Sequence, residues 1–149
     1  MVGGRGSHSG PRNRPGTPGV RPRPAPTPVR RLRALIRQQL QMITVDAPEV
    51  SRLFLLRLEW PQTIAESIAT WQREQDGFFR TTLLEGVEKG EFHPEDPAIA
   101  RHCLQGAMNN VPTWFERRLE QQGDAHSIIE TTIDTLMALV SPTPADSST

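Results

Sequence analysis

The stretch EGVEKGEFHPEDP, residues 85–97, contains in order the signals that end one helix and begin another. Gly90 supplies the left-handed backbone conformation that closes a helix C-terminus. Phe92 is an apolar residue just after this stop, where a chain that folds back can pack against its own helix. Asp96 and Pro97 restart a helix, because a carboxylate caps the N-terminus and the proline ring already has a helical φ. The stretch therefore predicts the corner of a helical hairpin.

A long helix is predicted on the N-terminal side of this corner, from about Gln62 to Lys89. Its larger side chains fall on two neighbouring stripes. The first stripe contains Ile64, Ile68, Trp71, Phe78 and Thr82, and the second contains Phe79, Leu83 and Val87. Gly77 and Gly86 weaken the helix locally and are predicted to allow the close approach of another helix or a ligand.

Two helices are predicted upstream of the long one. The first starts at about Arg30, and its apolar face consists of Leu32, Leu35, Ile36, Leu40 and Ile43. Asp46 and Pro48 begin the second, whose residues 50–58 are apolar on most sides and are expected to be enclosed by other helices. This helix ends at Trp60, because a residue before proline resists the α conformation.

Two further helices are predicted downstream of the corner. Residues 97–116 form one of them, and Pro112 is expected to kink it or to convert its last turn. Gly123 and Asp124 break the chain before a final helix that carries Ile129, Ile133, Leu136, Met137 and Val140. No stretch alternates with period two for long enough to predict a sheet. The sequence therefore predicts an all-α bundle of five helices in residues 30–140, with disordered tails at 1–29 and 141–149.

The formal net charge of zero conceals a division of charge along the chain. Residues 1–31 hold seven arginines and no acidic residue, so the remainder has ten basic and 17 acidic residues, a net charge of −7. Residues 1–28 also contain seven prolines and six glycines, with almost no apolar side chain to offset the entropy of ordering them. Four readings of this segment stay open: a solvated tail without a role, a polyproline II ligand, a nonspecific nucleic-acid contact, or a stretch translated from a wrong frame or start.

The sequence contains no signal for secretion or for membrane insertion. Cys103 is the one cysteine, which excludes an intrachain disulfide and favours a reducing compartment. No apolar run approaches the roughly 18 residues of a membrane span, and the N-terminus lacks the apolar region of a secretory signal. A cytoplasmic protein without membrane contact is therefore predicted.

Catalytic and metal-binding chemistry is not predicted. His102 and Cys103 are adjacent, but neighbours on one helix do not face each other and cannot form a thiolate–imidazole dyad. Cys103 is instead interpreted as a small buried hydrophobe. His8, His93 and His126 show no metal-ligand spacing. The chain is therefore predicted to be no enzyme and to use no metal or cofactor.

The order of the predicted elements resembles the C-terminal ligand-binding and dimerisation domain of the TetR/AcrR family of bacterial regulators. The resemblance rests on the helix end EGVEKGEF at 85–92, the restart HPEDP at 93–97 and the helix AIARHCLQGAMNNVPTWF at 98–115. It covers residues 30–140. The resemblance implies a homodimer in which the last two helices of each subunit pair as a four-helix bundle, and an enclosed effector whose binding repositions DNA-reading heads.

The same resemblance implies an N-terminal head with a helix-turn-helix, and here the sequence departs from the family. Such a head needs about 45–50 residues that include a recognition helix. About 30 residues, rich in proline and glycine, precede the first predicted helix. Contact with DNA is therefore expected only through a missing or separate head.

An effector pocket is predicted between the long helix and its neighbours. Its candidate residues are Leu56, Trp60, Trp71, Phe78, Phe79 and Met108, with His102 and Asn109 as polar groups that could orient a ligand. Tryptophan and phenylalanine side chains favour a small apolar or aromatic effector. The alternative is that these residues fill an ordinary core.

A homodimer face is predicted on the last two helices. Its candidates on the first of them are Gly106, Ala107, Asn110, Val111 and Trp114, most of which are small enough to permit close helix approach; those on the final helix are Ile133, Leu136, Met137 and Val140. A domain of this size buries only about two thirds of its surface alone, so an apolar patch at one edge favours a partner. The alternative is that both faces point into the core of the monomer.

The leading hypothesis is an effector-sensing, dimeric domain of a TetR-type transcriptional regulator that lacks its own DNA-binding head in this chain. Two alternatives stay open. One is a headless dimerisation module or truncated gene product that modulates intact regulators. The other is a nonspecific nucleic-acid binder that acts through the Arg-rich tail.

Overall fold

The computed structural model describes residues 25–49, 51 and 59–141. Five α-helices lie in these ranges: α1 Pro28–Gln41, α2 Gln62–Glu88, α3 Pro97–Asn110, α4 Phe115–Gln122 and α5 Ala125–Met137. The described residues contain no strand, and the prediction of an all-α fold is confirmed. Most of both predicted tails, and residues 50 and 52–58 of the predicted second helix, lie outside the described residues.

Helix α1 begins at Pro28 rather than at Arg30. Thr27 is its N-cap, and the threonine hydroxyl accepts a hydrogen bond from the Arg30 amide at 3.3 Å. A proline in the first turn suits a helix start, because its φ is already helical and its missing N–H has no partner there. The predicted apolar face points inward, and its fully buried members are Leu32, Ile36 and Leu40.

The helix stop in the corner after α2 has the predicted geometry. Gly90 has a φ of +75°, and the Gly86 carbonyl accepts hydrogen bonds from the amides of Glu91 and Phe92 at 2.8 and 3.1 Å. The Phe92 ring lies directly over Gly86 and is only 1% exposed. Glycine at position 86 allows this approach because it has no Cβ. The close approach predicted at this glycine is therefore made by the chain's own corner.

The helix restart in the corner is also confirmed. The Asp96 carboxylate caps α3 by accepting hydrogen bonds from the amides of Ala98 and Ile99 at 2.9 and 3.1 Å. The corner is tied to the chain just after α5, because the His93 amide donates to the Val140 carbonyl at 2.9 Å. This hydrogen bond therefore holds the corner beside the C-terminal end of α5.

The single helix predicted over residues 97–116 is wrong, because the chain forms two helices there. Pro112 has no amide hydrogen, and the backbone around it forms a 3₁₀ turn at Val111–Thr113. Conversion of the last turn was predicted, but the new helix α4 was not. Its apolar residues are few, with Phe115 buried and Leu119 packed against the core, so the periodic signal over this short segment is weak.

The hydrophobic core lies where α1, the second half of α2, α3 and α5 meet. Helix α2 buries only residues near its C-terminal end, namely Phe79, Thr82, Leu83 and Gly86. The first stripe predicted on this helix lies largely outside the core of the described residues, since Ile64, Trp71 and Phe78 are 43%, 38% and 57% exposed. Helix α5 directs its apolar side fully into the core through Ile128, Ile129, Ile133, Leu136 and Met137.

Ion pairs hold α1 against α5. Arg37 donates to both carboxylate oxygens of Glu130, at 2.7 Å from Nε and 3.1 Å from Nη2. Arg33 donates to Asp134 at 2.7 Å. The hydrogen bond from Arg37 is the main reason that the pKa of Glu130 is lowered from its ordinary value. These bonds are partly exposed, so they fix the position of α1 more than they add to stability.

A second ion-pair cluster joins α1 to the end of α2. Glu85 accepts a hydrogen bond from Lys89 one turn later at 2.8 Å and also pairs with Arg31 of α1. Lys89 first, and Arg31 second, lower the pKa of the Glu85 carboxyl group. Helix α1 is therefore held by charged side chains on both of its flanks.

Candidate functional site

A cavity of about 570 Å³ lies between α1, α2 and the end of α3. Its described lining residues are Gln39, Met42, Ile43, Ala47, Ser51, Ser67, Ile68, Trp71, Gln72, Asn109 and Pro112. Ligand pockets in proteins usually have volumes of about 300–1,000 Å³. The size of this cavity therefore suits a small organic molecule.

The wall of the cavity is mainly apolar. Met42 and Ile43 come from the chain after α1, Ile68 and Trp71 come from α2, and Pro112 comes from the 3₁₀ turn. Trp71 is 38% exposed, so its indole lies at the edge of the cavity. A molecule in the cavity can therefore pack against this ring while one side of the ring still faces solvent.

Three carboxamide side chains face the cavity, one from each helix: Gln39 of α1, Gln72 of α2 and Asn109 of α3. The structure gives none of the three a side-chain hydrogen bond to another described residue. Ser51 and Ser67 differ in this respect, since their hydroxyls already donate to the Ile43 and Thr63 carbonyls at 3.0 Å each. The cavity therefore presents amide donors and acceptors beside its apolar wall.

Two departures from α-helical geometry meet at this cavity. After α1 the chain widens into a π turn at Met42–Asp46, in which the Ala47 amide donates to the Met42 carbonyl at 2.9 Å. This turn contacts the 3₁₀ turn Val111–Thr113. Both turns contribute cavity-lining residues. Irregular helical turns of this kind are frequent at functional sites.

A groove of about 400 Å³ lies on the other side of the same region, between α3, α4 and α5. Its lining residues are Ala107, Asn110, Val111, Trp114, Arg118, Gln122, Ser127, Ile128, Thr131, Thr132, Thr135 and Leu136. Hydroxyl and amide side chains border an apolar floor that is formed by Val111, Ile128 and Leu136. The groove follows the two helices that the sequence assigned to a dimer face.

Comparison with protein families matches residues 25–140 to the family described as tetracyclin repressor-like, C-terminal domain. The chain belongs to this TetR family. No curated protein and no solved structure matches the chain. The recognition made from the sequence is therefore confirmed at the level of the family and of its C-terminal domain.

Two of the eight predicted pocket residues line the cavity of this TetR-type domain, namely Trp71 and Asn109. Phe79 and Met108 lie in the core, with 1% and 0% of their surface exposed. Three other predicted pocket residues are described by the structure and do not line the cavity. Trp60 is half-buried, while Phe78 and His102 are exposed. Leu56 lies outside the described residues. The pocket as predicted from the sequence is therefore not brought together as one set.

Sequence reasoning missed most of the cavity-lining residues. Met42, Ala47 and Ser51 lie around the junction of the first two predicted helices, where the π turn Met42–Asp46 replaces a regular helix end. Gln39 and Gln72 are polar residues on helices that were read only for their apolar stripes. Besides Trp71 and Asn109, Pro112 was a signal for this place, because an imino acid inside a helical pattern indicates irregular backbone.

The predicted dimer residues of the TetR-type domain fall into two groups. Gly106, Ala107 and Asn110 are exposed on α3, and Trp114 is half-buried at the groove. Val111 and the four residues that the sequence assigned to the final helix lie in the core of their own chain; Ile133, Leu136 and Met137 of α5, and Val140 beyond its end, are at most 7% exposed. Their burial therefore requires no second subunit, and the surface left for a partner consists mainly of the α3 residues and the hydroxyl-rich side of α5.

Cys103 is exposed, so the prediction of a buried cysteine is wrong. It lies on the same side of α3 as Ala107, one turn away. Within the described ranges, no three His, Cys, Asp or Glu side chains come together as a metal site. In that same part of the chain, no helix is long and apolar enough to cross a membrane. The family consists of regulators rather than enzymes.

Proposed function

We propose that this chain is the effector-sensing, dimeric domain of a TetR-type transcriptional regulator. The family match supports a regulatory domain of this type. The cavity supports a small apolar or aromatic effector, because its lining is mainly apolar and includes Trp71. A cytoplasmic location fits a regulator that meets both an effector and DNA. In the proposed regulator, DNA is contacted by a head domain, since the match covers only the C-terminal domain.

The observation that carries this proposal is the position of residues 109–114 between the cavity and the groove. Asn109 and Pro112 line the cavity, whereas Asn110, Val111 and Trp114 line the groove. One short segment therefore forms part of both walls. A molecule that pushes against Pro112 acts directly on the backbone that holds Val111 and Trp114. This arrangement supports coupling between effector binding and subunit contact.

The proposed subunit interface is centred on the exposed side of α3. Ile99, Cys103, Gly106, Ala107 and Asn110 recur at helical spacing on this side. All five are exposed, and Ile99 is 61% exposed. Small residues in the middle of the stripe permit two helices to approach closely, and an exposed isoleucine at one end gains burial in a dimer. The groove beside α3 can then accept part of the partner subunit.

Coupling requires that the effector bind one of two arrangements of the dimer more tightly than the other. A ligand that binds both equally does not shift the equilibrium between them. We infer that the 3₁₀ turn at Val111–Thr113, which contributes to the walls of both the cavity and the groove, is the element that differs between the two arrangements. It can remain as a 3₁₀ turn around Pro112, or it can tighten or open as the cavity fills. Helix α1 provides a second connection between the cavity and the subunit contact, since the π turn after it lines the cavity and its ion pairs to Glu130 reach α5.

Sedimentation equilibrium tests the interface. The wild-type chain should form a dimer, and Ala107→Glu should dissociate it by placing a charge at a close helix contact. Ala98→Glu is the matched control, because Ala98 is exposed on the same helix but points away from the stripe. A wild-type chain that stays monomeric at high concentration, or equal effects of both variants, would refute the proposed interface.

Coupling is tested by measuring the dimer dissociation constant with and without a compound that native mass spectrometry shows to bind. The proposal expects a shift of several-fold, in line with coupling free energies of about 1–3 kcal/mol. The shift should be lost in Pro112→Ala. An unchanged dissociation constant with a saturated cavity would refute the sensing function while leaving the dimer intact.

A further inference from the structure

The chemistry of the cavity narrows the class of molecule that fits it. This inference rests on the proposed function, since it concerns the effector of the same cavity. Three features carry it: the volume, the indole of Trp71 at the rim, and the carboxamides of Gln39, Gln72 and Asn109. Each feature excludes a different kind of ligand.

The volume limits the size of the ligand. A water molecule occupies about 30 Å³ in the liquid, so 570 Å³ holds roughly twenty waters. A ligand that replaces them has at most roughly twenty non-hydrogen atoms. Two or three fused or linked rings meet this limit, whereas a large polycyclic drug does not.

The indole of Trp71 favours a flat ring system. An aromatic ligand can stack on this indole or meet it edge-on, and both arrangements gain more than the burial of area alone. Met42 lines the same cavity, and a thioether adapts its shape to a ring and makes favourable contacts with its edge. The apolar part of the ligand is therefore expected to be aromatic.

The three carboxamides determine which polar groups of a ligand the cavity can bind. Each carries a donor N–H₂ group and an acceptor oxygen, and none is used by another described side chain or backbone group. They can bind carbonyl, hydroxyl or amide groups without a change of charge. Asp76 and Arg101, charged residues of α2 and α3, pair with each other at 3.4 Å, and neither lines the cavity.

We propose that the cavity binds an uncharged aromatic molecule, whose rings pack against Trp71 and whose carbonyl, hydroxyl or amide groups are hydrogen-bonded by Gln39, Gln72 and Asn109. The described lining residues are all neutral, so an ionised ligand that buries its charge against them would give up hydration without gaining an opposite charge. Burial of a charge without an opposite charge is costly, so charged analogues bind more weakly than the neutral molecule.

Four probes of one ring frame test this proposal. Fluorenone is neutral and has a carbonyl group, fluorene lacks the carbonyl, and fluorenone carboxylate and aminomethylfluorenone are charged at neutral pH. The full chain with Trp60→Phe and Trp114→Phe keeps Trp71 as its single tryptophan, so quenching of its fluorescence reports occupancy of the cavity. Far-UV circular dichroism of this variant verifies that it is folded.

Fluorenone should bind at least tenfold more tightly than either charged probe, and more tightly than fluorene. Replacing both Gln72 and Asn109 by leucine should weaken fluorenone roughly tenfold, as expected for the loss of one or two neutral hydrogen bonds, and should leave fluorene unchanged or tighter. Gln121→Leu is the matched control, because Gln121 is exposed on α4 and lies away from the cavity. It should change neither affinity.

Two outcomes overturn the proposed ligand class: a charged probe that binds as tightly as fluorenone, or no quenching of Trp71 by any of the four. The proposed function is judged separately. If a charged probe binds best and shifts the dimer dissociation constant, the ligand class is wrong and the sensing function stands. If fluorenone binds as expected and the dimer does not respond, the ligand class stands and the sensing function is wrong.

Discussion

Replacing Gly86 with alanine is expected to destabilise the protein, although alanine is the better helix former. A Cβ built at Gly86 lies 2.0 and 2.3 Å from two ring carbons of Phe92. Optimal carbon–carbon contacts are about 3.5–4.0 Å, so either the ring or the backbone has to move. Phe92 is 1% exposed, and its ring has no free space on the protein side into which it can rotate without disturbing the core.

The magnitude follows from two effects of opposite sign. Alanine is favoured over glycine inside a helix by up to about 1 kcal/mol. Against this, the chain either overpacks the corner, at about 1–3 kcal/mol, or expels the Phe92 ring and loses about 1.5–3 kcal/mol of burial. The chain adopts the cheaper of these two responses. The expected net loss in the free energy of unfolding is therefore about 1–2 kcal/mol.

Urea denaturation followed by far-UV circular dichroism measures this loss, with all variants at one protein concentration because dimerisation contributes to apparent stability. Gly77→Ala is the matched control. It lies in the same helix, and a Cβ there has no atom within 4 Å, so it should stabilise by up to about 1 kcal/mol. The two alanine variants should therefore differ by roughly 1–3 kcal/mol.

A double-mutant cycle isolates the contact between the two side chains. Phe92→Ala alone should cost about 3–5 kcal/mol. In the Gly86→Ala background it should cost clearly less, because the clash is removed together with the ring. Equal stability of Gly86→Ala and Gly77→Ala, or strictly additive effects in the cycle, would refute the argument that the ring is seated on this glycine.

Three further predictions concern the cap, the ion pair and the 3₁₀ turn. Asp96→Ala should lose about 1 kcal/mol and more than Asp124→Ala, because the Asp96 carboxylate accepts two amides at 2.9 and 3.1 Å whereas that of Asp124 accepts one at 3.3 Å; equal losses in urea denaturation would contradict this. The hydrogen bond from Arg37 lowers the pKa of Glu130, so the carboxylate stabilises the fold above its ordinary pKa and this contribution disappears as the pH falls through the lowered pKa. Glu130→Gln should therefore be less stable at neutral pH but lose less stability on acidification, and parallel acid profiles would argue against the pair. Pro112→Ala should restore an amide donor, raise the helical circular dichroism and weaken fluorenone binding at Trp71, and an unchanged spectrum with unchanged affinity would contradict the role given to the turn.

The parts of the fold that could be predicted from the sequence are those set by local chemistry. Gly90 and Asp96 act on backbone groups within one helical turn along the chain. The position of the corner can therefore be predicted without knowledge of the rest of the structure. The bounds of α2 and the start of α3 could be predicted from such local signals. At Pro112 the sequence predicted a kink or a converted last turn for the same reason, because proline lacks a donor in any context.

The cavity could not be predicted in the same way. The first stripe predicted on α2 joined Phe78 to Trp71 by spacing alone, yet Trp71 lines the cavity whereas Phe78 does not and is 57% exposed. Periodicity shows that residues share a side of a helix, but it does not show which side meets another helix. The π turn after α1 was equally hidden, since an ordinary helix end and a widened turn leave the same apolar pattern.

By itself the sequence determined the helical class, the corner at residues 85–97 and the family. These follow from signals whose physical range is a few residues, such as a positive φ at glycine, a carboxylate cap and a missing amide at proline. Only the tertiary structure decided that Ile133 and its neighbours on α5 fill their own core, that Cys103 faces outward, and that residues 109–114 divide a cavity from a groove. Those outcomes depend on how whole helices are rotated against one another, which is set by the packing of distant side chains.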